Sequence, residues 1–165
     1  MGGERLEAEW VRAWCTRAGA DLAESMRSFQ ARHGFPPGRN VIACATEESH
    51  RDTDALVELT PIPSDLTTLY WVVAEISLPD VDAGYFVHPP SMVAGHFREY
   101  GPIRIDGEEP ALVFASDGGG HLFALAGSRR VWRSATPSHS ARFDLAAPGL
   151  DEFLDTLAHR IADRP

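Results

Sequence analysis

Residues 111–126, ALVFASDGGGHLFALA, constrain this chain more than any other stretch. Two apolar runs, 112–115 and 122–126, flank Asp117-Gly118-Gly119-Gly120. A glycine cluster between two such runs marks a chain reversal that needs positive φ, so the segment reads as a β-hairpin. A hairpin here sets an antiparallel sheet in the core. Helical patterns on both sides of it then give an α+β fold: a mainly antiparallel sheet with a central hairpin, packed by N-terminal, middle and C-terminal helices.

Leu6, Trp10, Trp14, Ala18, Leu22, Met26 and Phe29 recur at three and four, which predicts one amphipathic helix over residues 4–32. It ends at Gly34, ahead of Pro36-Pro37-Gly38. Gly19 costs about 1 kcal/mol there relative to alanine and marks a bend or a close contact. Residues 41–45 and 55–59 read as strands, with the polar TEESHRDTD between them as a loop. Ser64 is an expected N-cap for a helix carrying Leu66, Leu69, Tyr70 and Val73, although the β-branched Thr67, Thr68, Val72 and Val73 keep a strand in play.

SLPDVDAGYFVHPP reads as a loop leading into a short strand near 85–87. A short helix over 91–100 follows, closed by Gly101-Pro102. Ile103 and Ile105 suggest a brief strand, residues 130–133 a third meander strand, and 136–141 a loop. Leu150, Phe153, Leu154, Leu157 and Ile161 form a final amphipathic helix. Asp151 and Glu152 open it, and His159, Arg160 and Arg164 close it, in the sense the helix dipole favours. At 165 residues the chain divides into an N-terminal helix and linker (1–58) and an α+β domain (59–165), together one compact unit.

The formal net charge is -9. Nucleic-acid binding needs a basic stripe on phosphates and is not expected. An acidic surface serves solubility, and it also recruits basic partners by long-range attraction. All the basic residues are arginine, so no Schiff-base or Walker-type lysine is available. Cys15 and Cys44 lack metal or disulfide-framework spacing and read as buried thiols. The first residues lack the apolar core of a signal peptide, and no run reaches membrane-spanning length, so a cytoplasmic location without membrane contact is expected.

No motif announces catalysis. Asp117 and its glycines lack the Lys-Ser/Thr of a phosphate loop, and a carboxylate would repel phosphate, so the segment reads as a structural turn. G-x-S-x-G is absent, and Ser138, His139 and Asp144 make no triad by sequence alone. His88 and His96 stand eight apart without an H-E-x-x-H pattern. Neither catalytic residues, cofactor nor metal are therefore assigned. Glu108 and Glu109 read as solvated beside a turn proline, and His121 as pairing locally at a strand start.

Candidate partner-binding residues are the acids Glu47, Glu48, Asp52 and Asp54, which form the densest negative patch. Asp80, Asp82, Asp106, Glu108 and Glu109 lie in expected loops, and Tyr85 is an aromatic anchor. Tyr100 and Trp132 are further aromatic candidates, with Trp132 equally suited to a core.

Ile62-Pro63-Ser64-Asp65-Leu66 with Tyr70, then Gly84-Tyr85-Phe86-Val87-His88-Pro89, then Phe114-Ala115-Ser116-Asp117-Gly118-Gly119-Gly120 and the closing LDEFLDTL follow one another in a familiar order. In that order the chain resembles the SMI1/KNR4 family of the SUKH superfamily, over about residues 59–161. Ala74-Glu75 stands where the family often has Asn-Gly after its early helix. The resemblance implies an α+β fold and a non-enzymatic protein-binding role. Bacterial members are chiefly immunity proteins that neutralise toxins, many of them nucleases, so a basic toxin domain is the implied partner. Alternatives are a regulatory or scaffold protein, with Trp10 and Trp14 docking a partner or a second copy, and a small-molecule hydrolase or transferase using the Asp117 loop.

Overall fold

The computed structural model describes residues 5–108 and 110–163. Among them the helices are α1 (Ala8–His33), α2 (Glu47–Leu59), α3 (Ser64–Val72), α4 (Pro90–Tyr100) and α5 (Leu150–Ala162). The strands are β1 (Val41–Cys44), β2 (Val73–Leu78), β3 (Tyr85–Val87), β4 (Leu112–Asp117), β5 (Leu122–Leu125), β6 (Val131–Ser134) and β7 (Phe143–Ala147). All seven strands join one antiparallel sheet whose spatial order is the sequence order. The fold is α+β, as the sequence pattern indicates.

The helices bury one face of the sheet. The main apolar cluster takes Trp14 and Leu22 from α1, Leu56 from α2, Leu66 and Tyr70 from α3, Val93 from α4, and Leu154 and Ile161 from α5. Ile76, Leu78, Val87, Phe114, Phe123 and Leu125 meet them from the strands. Each large apolar side chain buried this way contributes about 1.5–3 kcal/mol before entropy is counted. A second cluster, Ile103, Ile105, Val113, Leu122, Ala124 and Phe143 with Trp132 against it, covers part of the opposite face.

α1 ends as its sequence dictates. Gly34 takes φ 83° and its N–H donates to the Gln30 carbonyl. The helix runs on through Gly19, where a Cβ would meet nothing within 4 Å, so that glycine marks no close contact.

Several sequence expectations are corrected. The TEESHRDTD loop and the 55–59 strand are together α2. Thr46 accepts from the Ser49 N–H at 3.1 Å and Ser49 Oγ accepts from the Thr46 N–H at 2.8 Å, a capping box with serine in the place of glutamate. Its buried positions, Ser49, Thr53 and Leu56, are mostly polar, which hides the helical stripe. Ser64 is the first helical residue, and Pro63 holds the N-cap position. β2 follows α3 directly, and β7 occupies a stretch read without a strand. Ile103 makes one isolated bridge, to Ala111, in place of a strand. Cys44 is exposed on the edge strand β1, while Cys15 is half-buried.

Candidate protein-binding surface

Asp117 explains how the hairpin end is built. Its Oδ1 accepts from the N–H groups of Gly119 and His121, each at 3.0 Å, and lies 3.2 Å from His121 Nδ1. Its Oδ2 accepts from Arg133 Nη2 at 2.9 Å. Burial alone would raise this carboxyl, but the Arg133 and His121 hydrogen bonds outweigh it and hold the group below the usual carboxylate range. Both oxygens are thus engaged by the protein, as expected of a structural turn, and His121 does pair locally.

Beside this turn a cleft of about 440 Å³ opens between the sheet and α5. Phe123, Phe153 and Leu157 give it apolar walls, and Tyr85, Arg133 and Arg160 give it polar ones. Tyr85 is half-buried, and its hydroxyl donates to Asp82 at 2.8 Å. Arg160 approaches the same carboxylate at 3.9 Å.

The candidate acids fall in three places. Asp80 Oδ2 accepts from the Gly38 N–H at 2.7 Å and from Asn40 Nδ2 at 2.8 Å, tying the segment before β1 to the β2–β3 connection. With Asp82 and Tyr85 it forms the corner beside the cleft. Asp106 is exposed in the loop before β4. Glu108, read from sequence as solvated, has a side chain only 4% exposed, because Arg130 pairs with it at 3.1 Å. Glu109 lies outside the described residues.

The third place is α2. Glu47 and Glu48 occupy its first turn, where the helix dipole favours them, and both are exposed; Asp54 is exposed and Asp52 half-buried. Next to them stands a residue the sequence reading passed over. Trp71, 54% exposed at the end of α3, stacks on His50 of α2 with ring centroids 4.1 Å apart and planes at 11°. His50 Nε2 and the Trp71 carbonyl are 2.9 Å apart, so His50 both bonds the backbone of Trp71 and fixes its ring. Asp54 and the exposed Val57 follow His50 at i+4 and i+7 and share its side of α2. A sequence signal was present. Leu66, Leu69, Tyr70 and Val73 define the inward stripe of α3, and position 71 lies about 140° from Leu66 at 100° per residue.

The other aromatic candidates are placed differently. Tyr100 is 52% exposed and stacks on His139 with ring centroids 3.8 Å apart. Trp132 is half-buried against the second cluster, and its Nε1 is buried without a hydrogen-bond partner.

His88 Nε2 and Ser116 Oγ are 2.8 Å apart. His88 Nδ1 is buried without a partner, so no carboxylate orients the ring as a triad requires. Burial, then the neighbouring His96, pushes the His88 imidazole down to about 4, which makes it a weak base at neutral pH. Among the described residues no group of three His, Cys, Asp or Glu side chains could hold a metal ion, and no helix is long and apolar enough to cross a membrane.

No protein-family model matches the chain, and no curated protein matches it.

Proposed function

We propose that this chain is a non-enzymatic protein-binding domain of the SUKH immunity type, which neutralises a basic toxin-like protein by occlusion. The carrying observation is Trp71, a large aromatic side chain held at the surface by its stack on His50, with the exposed Glu47 and Asp54 at i−3 and i+4 on the His50 side of α2 and the exposed Glu48 in the same first turn. Interface hot spots favour tryptophan, and a ring already held in place loses little entropy on binding. The surrounding carboxylates and the net charge of -9 steer a basic partner and disfavour acidic ones. The scaffold alternative needs the α1 stripe for a partner, but Trp14, Ala18, Leu22 and Phe29 spend it inside the domain. The hydrolase alternative needs the Asp117 loop, but Gly119, His121 and Arg133 already engage both oxygens of that carboxylate.

The test is capture of partners by the tagged full chain at low and moderate salt, followed by association and dissociation rates for the captured protein. A basic partner is expected whose binding weakens with salt. Trp71→Ala should then raise Kd by about 30-fold or more, mainly through faster dissociation. Joint neutralisation of Glu47, Glu48 and Asp54 to Gln, Gln and Asn should slow association and flatten the salt dependence. A partner bound equally by the wild type and both variants would sink this surface as the binding site.

A further inference from the structure

Three imidazoles meet where α4 passes the loop that joins β6 to β7. The His88 and His96 ring centroids are 5.5 Å apart and those of His96 and His139 6.2 Å apart, both pairs edge to face. His88 Nδ1, His96 Nδ1 and His139 Nε2 are each buried without a hydrogen-bond partner. His96 and His139 also line a void of about 10 Å³, walled by Phe97, Gly101, Leu112 and Val113. That is at the lower limit for a single water molecule. Polar atoms buried without partners are costly, and exposure to water relieves that cost.

The loop is fastened at few points. Its backbone hydrogen bonds close on itself, from the Ala135 N–H to the Arg142 carbonyl, from Ser138 to Thr136 and from Ala141 to Ser138. Its hold on α4 runs through His139, stacked on Tyr100 at 3.8 Å and 14° and edge-on to His96. Pro137 also packs over Gly120 of the hairpin.

We propose that His88, His96 and His139 form an acid-sensitive latch, in which protonation of the cluster releases the 135–142 loop from the C-terminal end of α4. A proton on any one ring places a cation within about 6 Å of a second imidazole, in a site that offers it no acceptor. His139 is the member free to leave, since it sits on the loop and is half-buried. Burial followed by His96 already disfavours its charged form, against the opposing pull of Glu99.

Among the surrounding groups Glu99 compensates in part, acting on His139, and burial with His96 outweighs it. On α4, Arg98 and Glu99 are exposed, and Glu99 is engaged with the Tyr100 hydroxyl. α2, packed on α4, buries Ser49, Thr53 and Leu56 and keeps Glu47, Glu48 and Asp54 exposed. β4 offers Ser116 to His88, while Asp117, the next residue, is held by Arg133 and His121. From the loop and β7, Arg142 and Asp144 pair with each other. Opening the latch would uncover Phe97, Leu112 and Val113, which form the apolar wall of the void.

The test is an NMR titration of the full chain from pH 7.5 to 4, following the imidazole ring signals and the amides of residues 135–142. The expected result is one transition in which the His139 ring and the loop amides shift together, with a midpoint below the ordinary imidazole value of about 6.5. His139→Phe keeps a ring to stack on Tyr100 but carries no proton, and should remove the response of the loop amides. If that variant does not fold, His139→Gln serves the same purpose. Loop amides that stay fixed while the rings titrate would overturn the latch, as would the same loop response in either variant.

Discussion

The indole Nε1 of Trp14 donates a 2.8 Å hydrogen bond to the backbone carbonyl of Leu154, 140 residues further along the chain. Trp14 is 1% exposed and α1 packs on both α5 and α3, so the first helix is a wall of the core. Trp14→Ala should cost about 3–5 kcal/mol and Trp14→Phe about 1–2 kcal/mol, since the latter keeps most of the packing and loses the hydrogen bond. Removing residues 1–35 should abolish cooperative unfolding altogether. Denaturant titrations followed by circular dichroism check both, and a truncated chain that still unfolds sharply would show that the sheet and remaining helices stand alone.

Gly118 and Gly119 adjoin each other in the hairpin but should respond differently to alanine. A Cβ on Gly118 would stand 1.9 Å from the Ala83 carbonyl oxygen, and the Gly118 N–H donates to the Gly84 carbonyl at 3.0 Å. A Cβ on Gly119 would meet the movable His121 ring at 3.2 Å. Gly118→Ala must therefore part the hairpin from the β2–β3 connection, at about 1–3 kcal/mol or more. Gly119→Ala should cost clearly less. Thermal midpoints of the two variants decide the matter, and equal losses would count against the close approach.

Stability should fall as the solution is acidified through the range in which His88 titrates. Its folded value is about 4 against an ordinary 6.5, so between those limits the unfolded chain binds a proton that the folded chain refuses. The contribution is complete above pH 6.5, shrinks as pH drops, and is gone near pH 4. Its full size is about 3 kcal/mol at 1.36 kcal/mol per pH unit. Asp117 acts in a lower window, because its folded value lies below 3.8 and its stabilisation is lost only as pH falls through that value. Urea midpoints measured from pH 7.5 to 4 on wild type and His88→Asn separate the two, with the variant expected to lose most of the slope above pH 4 and His139, whose charged form is also disfavoured, to keep the remainder.

The two thiols should differ in reactivity. Burial, then the neighbouring Cys44, pushes the Cys15 thiol up to about 11, whereas Cys44 is exposed on an edge strand. Because the thiolate is the nucleophile, one equivalent of an alkylating reagent at neutral pH should modify Cys44. Cys15 should follow at a comparable rate only in denaturant. Mass spectrometry after timed quenching reads this directly, and early modification of Cys15 would contradict it.

The hairpin, α1 and α5 were legible because each carries its own punctuation: glycines at a reversal, a long apolar stripe, charges matched to helix ends. α2 was not, because its inward face is Ser49, Thr53 and Leu56, and its cap uses serine where glutamate is expected. β7 hid for a related reason: Asp144, Leu145 and Ala146 are all exposed, so no alternation marks the strand. The acids Glu47, Glu48 and Asp54 were recognisable as a surface patch by composition. Glu108 and Asp80 looked the same in sequence, yet both serve internal contacts, a distinction set by residues 22 and 40 positions away. The stack of Trp71 on His50 and the cluster of three imidazoles were invisible for the same reason, since a stack or a cluster is a property of elements brought together; only the outward direction of Trp71 could be read from the stripe of α3.

In the sheet, every strand lies beside its neighbour in sequence, whereas Trp14 waits for Leu154. A ribosome releasing roughly 5–20 residues per second would let the hairpins zip as they emerge. The part of the α1 stripe that packs on α5 would stay uncovered for on the order of ten seconds until that helix appears. The first helix is thus where a nascent chain of this protein is most exposed to aggregation or chaperone capture, and the emergence of α5 is the moment that relieves it.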